Sequence, residues 1–327
     1  MKYLITNLDR ADPAINLATE EYLVRHYDIS HDYLFLYINQ PAVVVGRHQN
    51  IYQEVNLQHI LKNNIPILRR FSGGGTVYHD GGNLNFSFIT RYEKFKFNNY
   101  RYFNQPIVDF LNNLGVPAEQ TDSNDIVVRD KKISGNAQFT SRDRMVSHGT
   151  LLFNSDLNHL SDCLRVIARE ITSRATKSRR SPVTNISDYL KETLTIEEFR
   201  ERLIRHLFQD ETEIQRRTIQ KNEQEKILAL ADNKYRQWDW TFGESPDCSI
   251  KSSGETAGGQ VHCQLEISKG HIKVVEFEGP GSSVSEAKYL SDILEGKRYY
   301  PKDVLEILGT DPSLSEQKIQ GVMELLF

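Results

Sequence analysis

Cysteine is scarce in this chain: Cys163, Cys248 and Cys263 are the three among 327 residues, with no close pairing. That excludes a disulfide framework and argues against a cysteine-rich zinc cluster. A basic excess is missing too. With 40 Lys and Arg against 44 Asp and Glu, the formal charge is −4 and the pI near 6.2. This leaves no electrostatic footprint for nucleic acid or an anionic membrane. No apolar run approaches the roughly 20 residues that span a bilayer, and residues 1–9 lack a signal-peptide pattern. Internal repeats and low-complexity tracts are also absent. What remains is the profile of a soluble cytoplasmic protein, monomeric by default. It is long enough for two or three domains and for a core without covalent staples.

Short β-rich runs alternate with helical ones. "YLFLYIN" (33–39) and "AVVVG" (42–46) read as neighbouring strands joined by a turn containing Pro41. "LNFSFIT" (84–90) alternates as a half-buried strand does. Phe103, Ile107, Phe110, Leu111 and Leu114 fall at helical spacing, and Gly115 with Pro117 ends that helix. "DIVVRDKKISG" (125–135) predicts a hairpin turning at Arg129-Asp130, and "MVSHGTLLFN" (145–154) a long strand. Residues 165–180 hold six basic side chains, one acid and few apolar anchors, which predicts an exposed, mobile segment. Ile196, Phe199, Leu203 and Leu207 mark an amphipathic helix. "WDWTFGESP" (238–246) reads as a domain junction. Beyond it come a hairpin turning at Lys269-Gly270 and helices near 285–295 and 301–308, a small α+β unit.

The densest chemistry lies in "RRFSGGGTVYHDGGNLNFS" (69–87). Ser72-Gly73-Gly74-Gly75 sits between strand-like "PILRRF" and "TVYH". Successive glycines let a ligand lie against bare backbone N–H groups, which bind anions. Arg69 and Arg70 add charge-assisted donors for carboxylate or phosphate. A flexible hairpin loop is the plainer alternative. A Walker-type loop is excluded because G-x-x-x-x-G-K-[ST] is missing, and no helix follows to make a dinucleotide fingerprint. A hydrolase triad of Ser72, His79 and Asp80 is weak, since adjacent strand residues face opposite ways and G-x-S-x-G is absent.

A second cluster is "DSNDIVVRDKKISGNAQFTSRD" (122–143). Lys131 and Lys132 stand beside Ser134-Gly135-Asn136, where a fixed ammonium can neutralise charge developing as a carboxylate attacks an α-phosphate. Most lysines are simply solvated, and at least one of the two should be. Asn124 and Asp125 offer hard oxygen ligands for Mg²⁺, although Asx pairs more often build turns. His148, Gly149 and Thr150 interrupt an apolar strand, the glycine suggesting close approach by backbone or ligand.

The stretch "RRFSGGGTVYHDGGNLN" (69–85) resembles the signature of the lipoate–protein ligase A family. "NLATEEYLVR", "VVVGRHQN", "SNDIVV", "KISGNAQ", "HGTLLFNSDL" and "SPVTNI" are similar to further family segments in the same order. The resemblance covers roughly the whole chain. It implies an α/β (α+β) fold, with a biotin-ligase-like large catalytic domain, 1–246, and a small C-terminal α+β accessory domain, 247–327. It further implies that lipoate and ATP, with Mg²⁺, form lipoyl-AMP and pyrophosphate. The lipoyl group then passes to a lysine of lipoyl domains of 2-oxoacid dehydrogenase E2 subunits or of the glycine-cleavage H protein. On this resemblance Lys132 is the catalytic group. Arg70, Ser72, Gly73, Gly74, Gly75, His148 and Gly149 bind lipoate. Gly75, Val77, Tyr78, Asn83, Asn124, Asp125, Lys132, Ala137, Thr150 and Arg180 bind the nucleotide or adenylate, with Asp125 as the Mg²⁺ ligand. Val44, Val45, Phe71 and Ala137 are candidates for an apolar slot. The basic segment resembles a loop that folds over the adenylate. Phe71, the second glycine of "DGG" and Asn136 depart from the family pattern, and Phe71 and Asn136 bear on lipoate against octanoate. The rivals are an ATP-independent lipoyl or octanoyl transferase using Cys163, a biotin ligase, and a non-enzymatic lipoate-binding protein.

Overall fold

Asp12 accepts hydrogen bonds from the amides of Ala14 (2.8 Å) and Ile15 (3.2 Å), and with Pro13 in the first turn it starts the helix Pro13–His26. Every residue of this helix through Val24 is buried, Asn16, Thr19, Glu20 and Glu21 included. It is part of a computed structural model that describes residues 2–6, 10–164, 170–209, 213–256, 259–280 and 283–327. The chain divides into two compact units, one of residues 1–47, 66–161 and 178–237, the other of 48–65, 162–177 and 238–327.

The first unit is built on a six-stranded sheet in the order Asn136–Ser141, Arg144–Leu152, Asn83–Arg91, Asp32–Ile38, Lys2–Thr6, Arg216–Thr218. The first four strands run antiparallel to their neighbours, and the last two join in parallel. Leu34, Leu36, Leu84, Phe86 and Leu151 share one apolar core with Ile107, Phe110 and Leu111 of the helix Tyr100–Asn113. Phe199, Leu203 and Leu207 of the helix Ile196–Leu207 complete it. The helix at 100–113 ends where Gly115 takes φ +82°. The one at 196–207 starts with reciprocal bonds between Thr195 and Glu198.

Three expectations change here. The strand at 83–91 is buried along nearly its whole length rather than on one face. Its alternation separates two buried faces, Leu84 and Phe86 toward the apolar core and Asn83, Asn85 and Ser87 toward a polar interior. Asp32–Ile38 and Ala42–Val45 are not paired. The second leaves for a three-stranded sheet, Ile67–Arg69, Ala42–Val45, Val77–His79, after Gln40 donates to the Ala11 carbonyl at 2.8 Å. The basic segment, whose Arg165 and Arg169 lie outside the described residues, contains a strand, Glu170–Ser173, that its polar sequence does not announce. The hairpin at Arg129-Asp130 is present, both residues with positive φ (49° and 63°), in the small sheet Ala118–Gln120, Ile126–Val128, Lys131–Ser134.

The second unit holds an antiparallel four-stranded sheet, Glu170–Ser173, Cys248–Thr256, Gly259–Ser268, His271–Glu278. Val261, Cys263, Leu265 and Ile267 alternate inward, and the turn falls at Lys269-Gly270 as the sequence predicts. Val284–Leu294 and Pro301–Gly309 match the expected helices, and Glu316–Leu326 adds a third. Among the described residues no helix is long and apolar enough to cross a membrane.

Phe199 is fully buried, 4.7 Å from the Phe153 ring and 5.3 Å from Phe110. Phe199→Ala is expected to destabilise the first unit by about 3–5 kcal/mol. Urea unfolding followed by near-ultraviolet circular dichroism measures this, and a change under about 1 kcal/mol would refute the core assignment.

Candidate active site

The glycine-rich loop leaves Ile67–Arg69 and returns as Val77–His79, both strands pairing with Ala42–Val45. Arg70 sits inside it. Its Nε donates to Ser72 Oγ and the Gly73 carbonyl, both at 3.1 Å; its Nη2 reaches the carbonyls of Gly73 (2.6 Å) and Gly75 (2.7 Å), and its Nη1 that of Val44 (3.2 Å). Burial lowers its pKa to about 10, which still leaves it charged at neutral pH. Arg69 is fully buried and donates to the carbonyls of Gly46 (2.9 Å) and Arg47 (3.2 Å). Both arginines read from the sequence as ligand donors are therefore engaged with main-chain carbonyls, Arg70 with the loop itself and Arg69 with the turn after Ala42–Val45. By holding the loop carbonyls Arg70 fixes a segment that glycine alone would leave loose.

Two glycines show how tight the loop is. A Cβ on Gly46 would lie 2.1 Å from the Gly74 carbonyl oxygen, while Gly74 itself holds φ +90° with Arg70 Nη2 2.8 Å from where its Cβ would be. Around Gly73, by contrast, there is open space within 4 Å. The N–H groups of Gly73, Gly74 and Gly75 take no hydrogen bond among the described residues. Ser178 closes the far side, its Oγ accepting from the Thr76 amide at 3.0 Å.

Ser72 connects the loop to the sheet. Its Oγ lies 2.8 Å from His148 Nε2, and His148 Nδ1 lies 2.8 Å from Glu20 Oε1, which also accepts from the Ser87 hydroxyl. With Nδ1–H donating to Glu20, Nε2 is left to accept from Ser72. The connectivity is that of a hydrolase triad, but the serine is fully buried and also accepts from Arg70. The triad of Ser72, His79 and Asp80 is not formed. Asp80 caps its own turn through the amides of Gly82 and Asp156. His79 Nδ1 accepts from Asn39 Nδ2 at 2.9 Å, and Asn39 is oriented by Asn16. Burial, then Arg70 and His148, drive the His79 pKa down to about 3. The ring is neutral, with its proton on a buried Nε2 that has no partner.

The second cluster meets the first at Ala137, whose Cβ would be 3.1 Å from a Cβ on Gly74. Lys132 Nζ forms an ion pair with Asp125 Oδ1 at 2.9 Å, and Lys131 is exposed. A Cβ on Gly135 would come within 3.0 Å of Lys132 Nζ, so this glycine makes room for the ammonium. The Lys132 backbone is tied to Pro182 and Thr184. Asn124 (φ 69°) and Asn136 exchange side-chain-to-carbonyl bonds of 2.8 Å each way. Gly149 is needed because Asn136 Oδ1 would stand 2.2 Å from its Cβ and Phe86 Cζ 2.6 Å, neighbours within the protein. Thr150 bonds with Gly135 through its amide (3.2 Å) and its hydroxyl (3.4 Å). Asn83 is fully buried and donates to Asn85 Oδ1 at 3.1 Å, its own Oδ1 without a partner. Val77 is half-buried, Tyr78 packs its ring 5.9 Å from His159, and Arg180 is exposed. Phe71 packs edge-on against Phe139 at 4.8 Å.

The sequence reading passed over Glu20, Asn16 and Asn39. The available signal was the helix at 13–26, whose polar residues form no single solvent-facing stripe.

Two family models match the chain: Lipoyl protein ligase A/B catalytic domain over residues 12–208 and Bacterial lipoate protein ligase C-terminus over residues 245–325. Lipoate-protein ligase LplJ of Bacillus subtilis is 40% identical over 306 residues, 93% of this chain and 92% of that protein. A crystal structure of lipoate-protein ligase A bound with ATP superposes with a TM-score of 0.65 at 29% identity, covering 75% of this chain and 100% of that one. A bipartite lipoate protein ligase from Thermoplasma acidophilum, described with its E2 lipoyl domain, gives a TM-score of 0.64 at 27% identity. It covers 74% of this chain and 96% of its own.

The depressed His79 pKa sets a pH dependence. The folded state resists protonation that the unfolded chain accepts below about 6.5, so this contribution to stability is full above that pH and falls as the pH drops toward 3. His79→Gln should flatten the dependence of unfolding free energy on pH in that window by up to about one bound proton. Urea unfolding from pH 7 to 4 tests it, and an unchanged slope would contradict a neutral buried ring.

Proposed function

The chain belongs to the lipoate–protein ligase family, and on that premise we propose how its residues carry the reaction. The enzyme is a lipoate–protein ligase. In our reading, residues 1–246 form the catalytic domain and 247–327 an accessory domain. A lipoate carboxylate oxygen attacks the α-phosphorus of ATP, a new P–O bond forms, and pyrophosphate leaves with the electrons of the bond that breaks. The ε-amine of an acceptor lysine then attacks the acyl carbon and loses a proton, and AMP departs with the anhydride oxygen.

The observation that carries this reading is the Lys132–Asp125 pair at 2.9 Å, in the cluster that meets at Ala137 a loop whose three glycine amides have no partner among the described residues. Lys132 is placed to balance charge on the α-phosphate and on the carboxylate as they join. The free amides of Gly73, Gly74 and Gly75 receive an anionic end of the substrate. Arg70 acts one step behind, by holding those amides outward. This changes its role from ligand donor to loop organiser. Ser72, His148 and Gly149 border the acyl side, while Val77, Tyr78, Asn83, Asn124, Ala137, Thr150 and Arg180 serve the nucleotide side.

ATP as co-substrate is supported by the ATP-bound relative. For Mg²⁺ the donors fit loosely: one carboxylate, Asp125, already paired, and the unpartnered Oδ1 atoms of Asn83 and Asn136. This suits an ion held mainly by nucleotide phosphates and water, supplying further neutralisation at the α-phosphate. The acceptor is a lipoyl domain, of the kind named with the Thermoplasma ligase; those of 2-oxoacid dehydrogenase E2 subunits and the glycine-cleavage H protein are the proposed targets. A transferase working through Cys163 is disfavoured. That thiol is fully buried, and burial followed by Asp162 raises its pKa to about 11, far from a reactive thiolate.

Lipoate-dependent exchange of labelled pyrophosphate into ATP, without acceptor, tests the proposal. Lys132→Ala should reduce it by about 10²–10³-fold, with Cys163→Ser nearly unaffected. Retained exchange in Lys132→Ala would remove that residue from the chemistry, and acceptor lipoylation that needs no ATP and is lost in Cys163→Ser would revive the transferase.

A further inference from the structure

The sequence "RYEKFKFNNYRYF" (91–103) interleaves six aromatic residues with four basic ones and a single acid. In the first unit it supplies the large hydrophobic side chains left exposed: Phe95 (58%), Phe97 (39%) and Tyr102 (49%). They form an ordered set. The rings of Phe95 and Tyr102 lie 5.8 Å apart and those of Tyr92 and Phe97 6.1 Å. Lys96 is buried beneath them, its ammonium 2.6 Å from Glu93, 3.2 Å from Thr90 Oγ1 and within 6 Å of the Phe95 and Tyr102 rings. The one acid is thereby neutralised from inside. Arg91, Lys94 and Arg101 remain exposed and outside any ion pair among the described residues.

An exposed aromatic cluster that a buried cation holds in shape is a preorganised contact surface. Its charge selects the partner. In a chain of net charge −4, a locally basic, aromatic strip complements an acidic face with apolar residues. The strip also joins the proposed reaction centre. The Asn98 amide donates to Gln138 Oε1 at 2.8 Å, and the Tyr92 amide to the Asp143 carbonyl at 2.7 Å. Asn104, on the helix that starts at Tyr100, donates from its side chain to the Asn124 carbonyl at 3.5 Å. Asn124 is followed directly by Asp125, the partner of Lys132. An incoming acceptor must bring one lysine to that pair, so the surface around its lysine rests on whatever borders the pair.

We propose that the strip formed by Arg91, Lys94, Phe95, Phe97, Arg101 and Tyr102 is the surface on which this ligase receives its protein acceptor, through an acidic face beside the acceptor lysine. The proposal rests on the ligase reading above and adds the site of partner recognition to it.

Two double variants, Phe95→Ser with Tyr102→Ser and Lys94→Glu with Arg101→Glu, separate docking from adenylation. With an E2 lipoyl domain as acceptor and saturating lipoate and ATP, each should raise the acceptor KM by at least about tenfold. Acceptor-free pyrophosphate exchange should stay at the wild-type rate, which also reports an intact fold. The charge-reversed pair should lose most of the salt dependence of the acceptor KM. An unchanged acceptor KM overturns the docking surface, as does a fall in exchange parallel to the fall in transfer. Sedimentation showing a wild-type dimer that Phe95→Ser dissociates, with acceptor KM unchanged, would assign the strip to a second copy instead. Absence of exchange in the wild-type enzyme would defeat the ligase reading itself, a result distinct from any of these.

Discussion

A guanidinium buried within its own loop is the constraint on which the site depends. Five hydrogen bonds from Arg70 reach Ser72, Gly73, Gly75 and Val44. A planar donor set with a permanent charge can gather several carbonyl oxygens at once, which lysine with its point charge cannot do in the same geometry. Carbonyls gathered inward leave their amides for something else. On the proposed mechanism that something carries negative charge at every stage, from carboxylate to phosphate to mixed anhydride.

Around this loop the protein keeps two interiors of different character. One side of the six-stranded sheet meets two helices through leucine, isoleucine and phenylalanine. The other meets the helix at 13–26 where Ser87 and His148 bond Glu20. Burying that much polarity is costly unless nearly every group is matched, and here it is matched in series: Glu20 to His148 to Ser72, and Asn16 to Asn39 to His79. Each link fixes the orientation of the next. The buried atoms left without a partner among the described residues include Glu20 Oε2, His79 Nε2 and the Oδ1 atoms of Asn83 and Asn136.

Much of this was legible in the sequence where chemistry and local conformation coincide. The helix end at Gly115 and the turns at Arg129-Asp130 and Lys269-Gly270 follow from residue type and spacing, while the choice of Lys132 over Lys131 rests on the family resemblance. The strand at 83–91 shows the limit. Its alternation was visible, but whether the polar half faces water or a second interior depends on what packs there, and the helix at 13–26 meets it through Glu20 and Ser87, 67 residues apart. Glu170–Ser173 was hidden for a related reason, since its pairing with Cys248–Lys251 outweighs a weak local preference.

The sequence alone therefore determined the fold class and the family and singled out the two clusters to which chemistry is assigned in the proposal, because these rest on residue identities in a fixed order. Only the tertiary structure decided what the arginines and the histidines do. Arg69 and Arg70 read as ligand donors until the carbonyls that occupy them are seen. His148 read as a lipoate contact, and the structure places Glu20 and Ser72 on either side of its ring. A side chain's role is set by the partners within about 3 Å of its polar atoms, and here those partners come from segments that only the fold brings together.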